Sequence, residues 1–204
     1  MNRAILVSRR QEQSAFEAGL GFQPGGAVNT NVTDLGVKWV RFGLRWIFAQ
    51  PVEDGPFNWS KFDSTIDAFN AAGIKVMGLL SNGPKWACGG GTPLAFPAGH
   101  LDDYIAYCEA AVSRYRGRIA AYEIWNEPQL NGLTVADAAT LTIEGSTVVR
   151  SLDPAAKVIG VCANGTGRSW GITPFSRAVL IYAFRSSPIT SAMQVVETAI
   201  ILGL

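Results

Sequence analysis

The middle of the chain alternates between short apolar runs and longer amphipathic stretches, and this alternation restricts the fold more than any other feature of the sequence. The apolar runs are rich in β-forming residues and predict strands at 38–44, 74–80, 118–125 and 157–162. The amphipathic stretches predict helices at 59–72, 101–115 and 135–152. Strands that alternate with helices through short connections form a parallel sheet. The sequence therefore predicts an α/β fold.

Two closures of such a sheet fit the pattern, a doubly wound open sheet and a (β/α)₈ barrel. The strand–helix joints lack the glycine-rich signatures of nucleotide sites and carry Trp, Asn, Glu and Pro instead. This favours the barrel, whose sites lie at the carboxyl ends of its strands. A complete barrel usually needs about 250 residues, and these 204 residues supply about five strand–helix units. We therefore expect a partial or incomplete (β/α)₈ barrel.

A single domain is predicted over 1–204, with two ends that match the barrel pattern poorly. Residues 1–35 offer only a strand near 19–23 and a short helix near 29–35. Beyond residue 162 the alternation stops, although 175–184 and 189–202 are suited to helices. We expect the atypical end, 181–204, to reflect a truncation or an altered reading frame.

Charge and composition argue against several classes of partner. The chain has 17 Lys and Arg against 16 Asp and Glu, a net charge of +1, so nothing attracts nucleic acid or an anionic membrane. The apolar end 193–204 is too short to span a bilayer. No signal peptide is recognisable at the amino terminus, because its apolar run is short and Arg9 and Arg10 follow. The localisation stays open on these grounds.

The cysteines and the single histidine give no metal pattern. Cys88, Cys108 and Cys162 are far apart and form no CxxC or Cys/His spacing, and His100 has no second histidine to join it. We predict free thiols, with one disulfide as the alternative for an exported protein. No metal and no cofactor are expected.

The most specific motif is YEIWNEP, Tyr122–Pro128. It places Asn126 and Glu127 at the carboxyl end of a buried strand. A carboxylate in such a place is unfavourable unless it is paired or used in chemistry. Glu123 lies four residues earlier, on the same side of the strand by alternation. We predict Glu127 as the catalytic residue and Glu123 as a structural partner of Arg41.

Three motifs in chain order, within about residues 36–165, resemble the glycoside hydrolases of clan A. VRFGLRW at 40–46 is similar to the second-strand motif that places an arginine beside the catalytic carboxylates. SNGPKWA at 81–87 is similar to the third-strand loop that brings a tryptophan to the sugar cleft, and YEIWNEP is similar to the acid/base motif of the fourth strand. The clan consists of retaining (β/α)₈ glycosidases and includes family 5 cellulases and family 39 xylosidases.

The resemblance implies a role for each of five residues. Glu127 would be the acid/base, and Asn126 would bond the sugar 2-hydroxyl. Arg41 would orient the nucleophile and keep it ionised. Trp46 and Trp86 would offer flat apolar faces to sugar rings. The resemblance also implies a carbohydrate substrate, no cofactor, and secretion.

The sequence departs from the family where the nucleophile should be. A retaining enzyme needs a second carboxylate about 5–5.5 Å from the first, and the family supplies it from the seventh strand. Nothing beyond residue 165 resembles that strand. Glu197 is the last carboxylate of the chain and lies in an apolar stretch, so we do not expect it to be the nucleophile.

Three functions therefore stay open. The first is hydrolysis of a β-linked glycoside or polysaccharide with retention, and cellulose, mannan, xylan and simple β-glycosides all fit. The second is a catalytically inactive fragment or pseudoenzyme that binds carbohydrate. The third is an enzyme with a parallel sheet that acts on another small molecule.

Overall fold

A computed structural model describes residues 19–22, 36–89 and 91–160. Its elements in chain order are β1 Gly19–Phe22, β2 Trp39–Arg45, α1 Trp46–Ala49, α2 Ser60–Ala71, β3 Lys75–Ser81, α3 Leu101–Tyr115, β4 Ala121–Ile124, a 3₁₀ turn Pro128–Asn131, α4 Val135–Leu152 and β5 Lys157–Ile159. Strands and helices alternate, and the predicted α/β class is confirmed.

The described strands form one parallel sheet in the order β1-β2-β3-β4-β5. Each strand pairs with the next one in the chain, so the order never reverses. A doubly wound sheet contains such a reversal, at the point where its ligand binds. The sequential order therefore supports the barrel rather than the open sheet.

One side of the strands packs against the helices through an apolar core. Val40, Phe42 and Leu44 of β2 are fully buried. The ring of Phe42 makes T-shaped contacts with two rings of α2, Phe62 at 6.2 Å and Phe69 at 6.4 Å between centroids. We call these helix-facing side chains, with the aromatic residues of α2 and α3, the outer layer.

The intervening strand residues point to the opposite side and bring polar groups there. Register pairs Gly43 of β2 with Leu79 of β3, and Leu79 with Glu123 of β4. Arg41 lies two residues before Gly43 and shares its side by alternation. We call the polar side chains at this side and at the carboxyl ends of β2 and β4 the inner rim.

The residues at two helix ends explain why those helices begin or end where they do. Gly73 follows α2 with a left-handed φ of 70°, a conformation that glycine adopts without a Cβ penalty. Thr134 caps α4 by accepting a hydrogen bond from the Asp137 amide at 3.1 Å. Asp137 returns the contact by accepting from the Thr134 amide at 2.8 Å. This reciprocal pair is a capping box, which satisfies amides that the first helical turn leaves free.

The observed elements agree with the predicted ones within one or two residues, with four exceptions. The short helix α1 and the 3₁₀ turn were not predicted, β4 occupies only Ala121–Ile124 of the predicted strand 118–125, and β5 is observed only over Lys157–Ile159. Cys88 and Cys108 are buried free thiols. Among the described residues, no helix is long and apolar enough to cross a membrane. The predictions for 29–35, 175–184, 189–202, Cys162 and Glu197 lie outside the described residues.

Candidate active site

The chain leaves β4 through two residues with left-handed backbone. Trp125 has a φ of 60° and Glu127 a φ of 41°. For a residue with a Cβ this conformation costs roughly 1–2 kcal/mol. A residue before a proline, as Glu127 is, also prefers extended backbone. Surrounding contacts must therefore hold this segment in place.

Trp125 is held by the outer layer. Its ring makes a T-shaped contact with Tyr104 of α3 at 5.4 Å between centroids, and its indole N–H donates to the Leu94 carbonyl at 3.0 Å. Simple alternation would have placed Trp125 on the same side as Glu123. Because β4 ends at Ile124, strand alternation does not determine where the Glu127 side chain lies.

Arg41 of β2 forms a two-point ion pair with Glu123 of β4. Its Nε donates to Oε2 at 2.6 Å, and its Nη2 donates to Oε1 at 2.9 Å. The Glu123 side chain is 2% exposed and that of Arg41 is 34% exposed. A buried carboxylate needs such a partner to offset its lost hydration. The predicted structural pairing of Glu123 with Arg41 is confirmed.

Arg41 also extends this ion pair toward Glu127. Its Nη2 donates to the Asn126 side-chain oxygen at 2.7 Å, and the Asn126 Nδ2 donates to Glu127 Oε2 at 3.3 Å. The side chains of Glu123, Arg41, Asn126 and Glu127 thus form one continuous polar chain from β4 to β2 and back. Asn126 and Glu127 are half-buried, so the exposed end of this chain is at Glu127.

The burial of Trp46 corrects its predicted role as a platform for a sugar ring. The side chain is fully buried. One face stacks on Tyr107 of α3 at 5.6 Å with 16° between the ring planes, and the indole N–H donates to Gln50 Oε1 at 2.9 Å. The ring also lies close to Gly83, where an added Cβ would come within 3.2 Å of it. The cause is the turn into α1, which directs Trp46 into the outer layer.

Trp86 is the more accessible of the two predicted platforms. It is half-buried and makes T-shaped contacts with the ring of Trp46 at 5.3 Å between centroids and with the His100 ring at 5.4 Å. Its Nε1 is buried and makes no hydrogen bond within the described part of the chain. The role of Trp86 in binding sugar stays a prediction.

Two residues at this site were not identified from the sequence. Asn131 Nδ2 donates to the Glu127 carbonyl at 3.0 Å, and the Thr92 hydroxyl donates to Asn131 Oδ1 at 3.2 Å. Pro128 and Gly132 could have marked the turn between them, because proline favours helix starts and glycine favours helix ends. The side-chain bonds within that turn have no sequence signature.

Solved structures with a similar fold are glycoside hydrolases. A family 39 glycoside hydrolase from Bacteroides cellulosilyticus is 18% identical with a TM-score of 0.60, and the match covers 70% of this chain and 31% of that one. A GH10 endoxylanase from a sugarcane soil metagenome is 16% identical with a TM-score of 0.57, over 91% and 63%. The endoglucanase Cel5A from Thermotoga maritima is 20% identical with a TM-score of 0.54, over 73% and 52%.

This is the fold of the (β/α)₈-barrel glycoside hydrolases. The resemblance to clan A seen in the sequence is thereby confirmed at the level of fold. No protein-family model matches the chain, and no curated protein sequence is significantly similar to it. The chain spans 31% and 63% of the lengths of the first two structures, so it corresponds to part of such a barrel.

Proposed function

We propose that the chain carries the acid/base residue of a retaining β-glycosidase, Glu127. The observation that carries this proposal is the polar chain from Glu123 through Arg41 and Asn126 to Glu127, at the carboxyl ends of strands in a glycosidase barrel fold. Catalytic groups of such barrels lie at these strand ends. The substrate class is a β-linked glycoside or polysaccharide.

Glu127 would act twice in the reaction. In the first step its carboxyl group protonates the glycosidic oxygen as that bond breaks. In the second step its carboxylate removes a proton from the water that releases the sugar. Asn126 lies beside it and can donate to a sugar hydroxyl through its amide. Trp86 is the proposed ring platform, since Trp46 is closed off.

The nucleophile of a retaining mechanism is not Glu123. Arg41 occupies both oxygens of that carboxylate, and the side chain is buried. An attacking carboxylate must instead reach the anomeric carbon with a free oxygen. We therefore propose that the second carboxylate comes from outside the described residues. In that arrangement Arg41 would act on the nucleophile either indirectly, through Glu123 and Asn126, or through a further contact with the nucleophile itself.

The test compares Glu127→Gln with the wild type on aryl β-xylosides, β-glucosides and β-mannosides. General acid/base catalysis contributes roughly 10²–10⁴-fold, so we expect a loss of that size for substrates with poor leaving groups. Glu109→Gln, an exposed glutamate of α3, is the matched control and should retain activity. The anomeric form of the first product, read by NMR, checks retention. Wild-type activity that survives in Glu127→Gln contradicts the proposal.

Carbohydrate binding without turnover is the second candidate. It is favoured by the burial of Glu123 and its pairing with Arg41, because these leave Glu127 as the accessible carboxylate of the described polar chain. Calorimetric titration with xylo-, manno- and cello-oligosaccharides would detect binding in a wild type that shows no turnover. Trp86→Ala should then weaken binding, because the apolar face of the sugar ring would lose its contact with the indole ring.

A further inference from the structure

We propose that Asn131 and Thr92 are positioning residues that hold Glu127 in its left-handed conformation, and this proposal rests on the function proposed for Glu127. Asn131 follows Glu127 by four residues and bonds back to its carbonyl at 3.0 Å. Thr92 belongs to the segment between β3 and α3 and fixes the Asn131 amide from the other side at 3.2 Å. Neither residue touches the carboxyl group itself.

The carbonyl contact constrains the peptide plane that follows Glu127, and with it the orientation of that plane relative to the side chain. Glu127 has φ 41° and ψ 53°, a conformation that both its Cβ and the following proline disfavour. The direction of its carbonyl is set by ψ. A donor fixed at that carbonyl therefore favours this one conformation over the extended alternative, in which the carboxyl group would point elsewhere.

Thr92 gives the contact its direction. Because the hydroxyl of Thr92 donates to Oδ1 of Asn131, the amide nitrogen of Asn131 is turned toward the Glu127 carbonyl. The same segment also accepts the Trp125 indole N–H at the Leu94 carbonyl, 3.0 Å away. Two bonds thus tie the segment between β3 and α3 to the residues that follow β4, one to Trp125 before Asn126 and one to Asn131 after it.

The first experiment measures kcat/KM for two aryl β-glycosides with different leaving groups. Cleavage of a phenyl glycoside needs proton donation to the leaving oxygen. In a 2,4-dinitrophenyl glycoside the leaving group departs without it. If Asn131→Ala displaces the Glu127 carboxyl group, we expect a loss of about 10–100-fold with phenyl and less than about 3-fold with dinitrophenyl. Thr92→Val should produce a smaller loss with the same preference for the phenyl substrate.

Asn70→Ala is the matched control. Asn70 of α2 also donates its amide to a backbone carbonyl, that of Arg118, at 3.0 Å, and Arg118 precedes the amino end of β4, whereas Glu127 follows its carboxyl end. It should leave both substrates within about 2-fold of the wild type. Equal losses on both substrates in Asn131→Ala, or a leaving-group preference in Asn70→Ala, would overturn the positioning role.

A crystal structure of Asn131→Ala separates this proposal from the proposed function. We expect Glu127 to leave the left-handed region and its carboxyl group to move away from Asn126. If the variant moves in this way while the wild type turns over no glycoside, the positioning holds and the glycosidase proposal fails. If Glu127 keeps its conformation in the variant, the positioning proposal is wrong whatever the activity. Thr92→Val serves for this measurement if Asn131→Ala does not fold.

Discussion

The outer layer and the inner rim use the same strands in opposite ways. On β2, Phe42 is fully buried among rings of α2, while its neighbour Arg41 carries the ion pair to Glu123. The outer layer gains free energy from buried apolar area, which tolerates any residue of suitable shape. The inner rim depends on a few directed bonds, whose loss leaves a buried charge without a partner. Buried apolar side chains are thus concentrated on one side of the sheet and paired polar side chains on the other.

The largest expected effect on stability comes from the outer layer. Phe42→Ala should lower the free energy of unfolding by about 3–5 kcal/mol, because it removes buried area and leaves a cavity between β2 and α2. Urea denaturation followed by tryptophan fluorescence measures it. Phe57→Ala, at a half-buried ring beside Trp59, should lower it clearly less. Similar losses in the two variants would mean that the outer layer is not tightly packed at Phe42.

A smaller loss is expected when the inner rim is altered at Glu123. Glu123→Gln keeps the shape of the side chain but replaces a charge-assisted pair by a neutral bond. We expect a decrease of about 1.5–3 kcal/mol in the free energy of unfolding, together with lower activity wherever the wild type is active. Asp67→Asn breaks a pair with Arg118 in which the aspartate is 58% exposed, and should change stability by less than about 1 kcal/mol. Equal effects would remove the distinction between a buried and an exposed pair.

Arg41→Lys tests whether the rim needs the guanidinium fork or only its charge. An ammonium group cannot reproduce the planar two-point pair with Glu123 while also donating to Asn126. We expect a decrease of roughly 1 kcal/mol in the free energy of unfolding. The exposed Arg116→Lys is the control and should be neutral. An Arg41→Lys variant as stable as the wild type would show that a point charge suffices at the inner rim.

The smallest effect is expected at a polar contact outside both regions, between α2 and α3. The Arg114 guanidinium lowers the pKa of Asp63 by hydrogen bonding, partial burial opposes this, and the Tyr115 hydroxyl adds to the lowering. A carboxyl whose pKa is depressed on folding stabilises the protein above its unfolded pKa, and this contribution is lost as the pH falls. Asp63→Asn should therefore lower stability by up to about 1 kcal/mol at pH 7. Thermal unfolding measured against pH should show that the difference in stability between the wild type and Asp63→Asn disappears below about pH 4. A difference that does not change with pH would contradict the assignment.

Periodicity along the chain was enough to predict the elements and their parallel arrangement. The expected pairing of Arg41 with Glu123 came instead from charge, because a buried carboxylate inside the barrel needs a partner of opposite charge. Periodicity failed at the carboxyl ends of the strands. Trp46 turned into the outer layer with α1, and Trp125 left the alternation of β4, because local turns rather than the strand period orient these side chains. The bond from Asn131 to the Glu127 carbonyl depends on that turn and could not be read from residue spacing.

The left-handed backbone at position 127 also has a consequence for which residues the site can accept. Asparagine, aspartate and glycine adopt this conformation readily, whereas valine, isoleucine and threonine resist it. A library randomised at this codon and selected only for soluble expression should therefore enrich the first group and deplete the second. Glutamate is not among the residues that such a backbone prefers. A glutamate at this position would therefore indicate selection for the reaction rather than for folding. Comparing that library with one selected for turnover would separate the two kinds of selection.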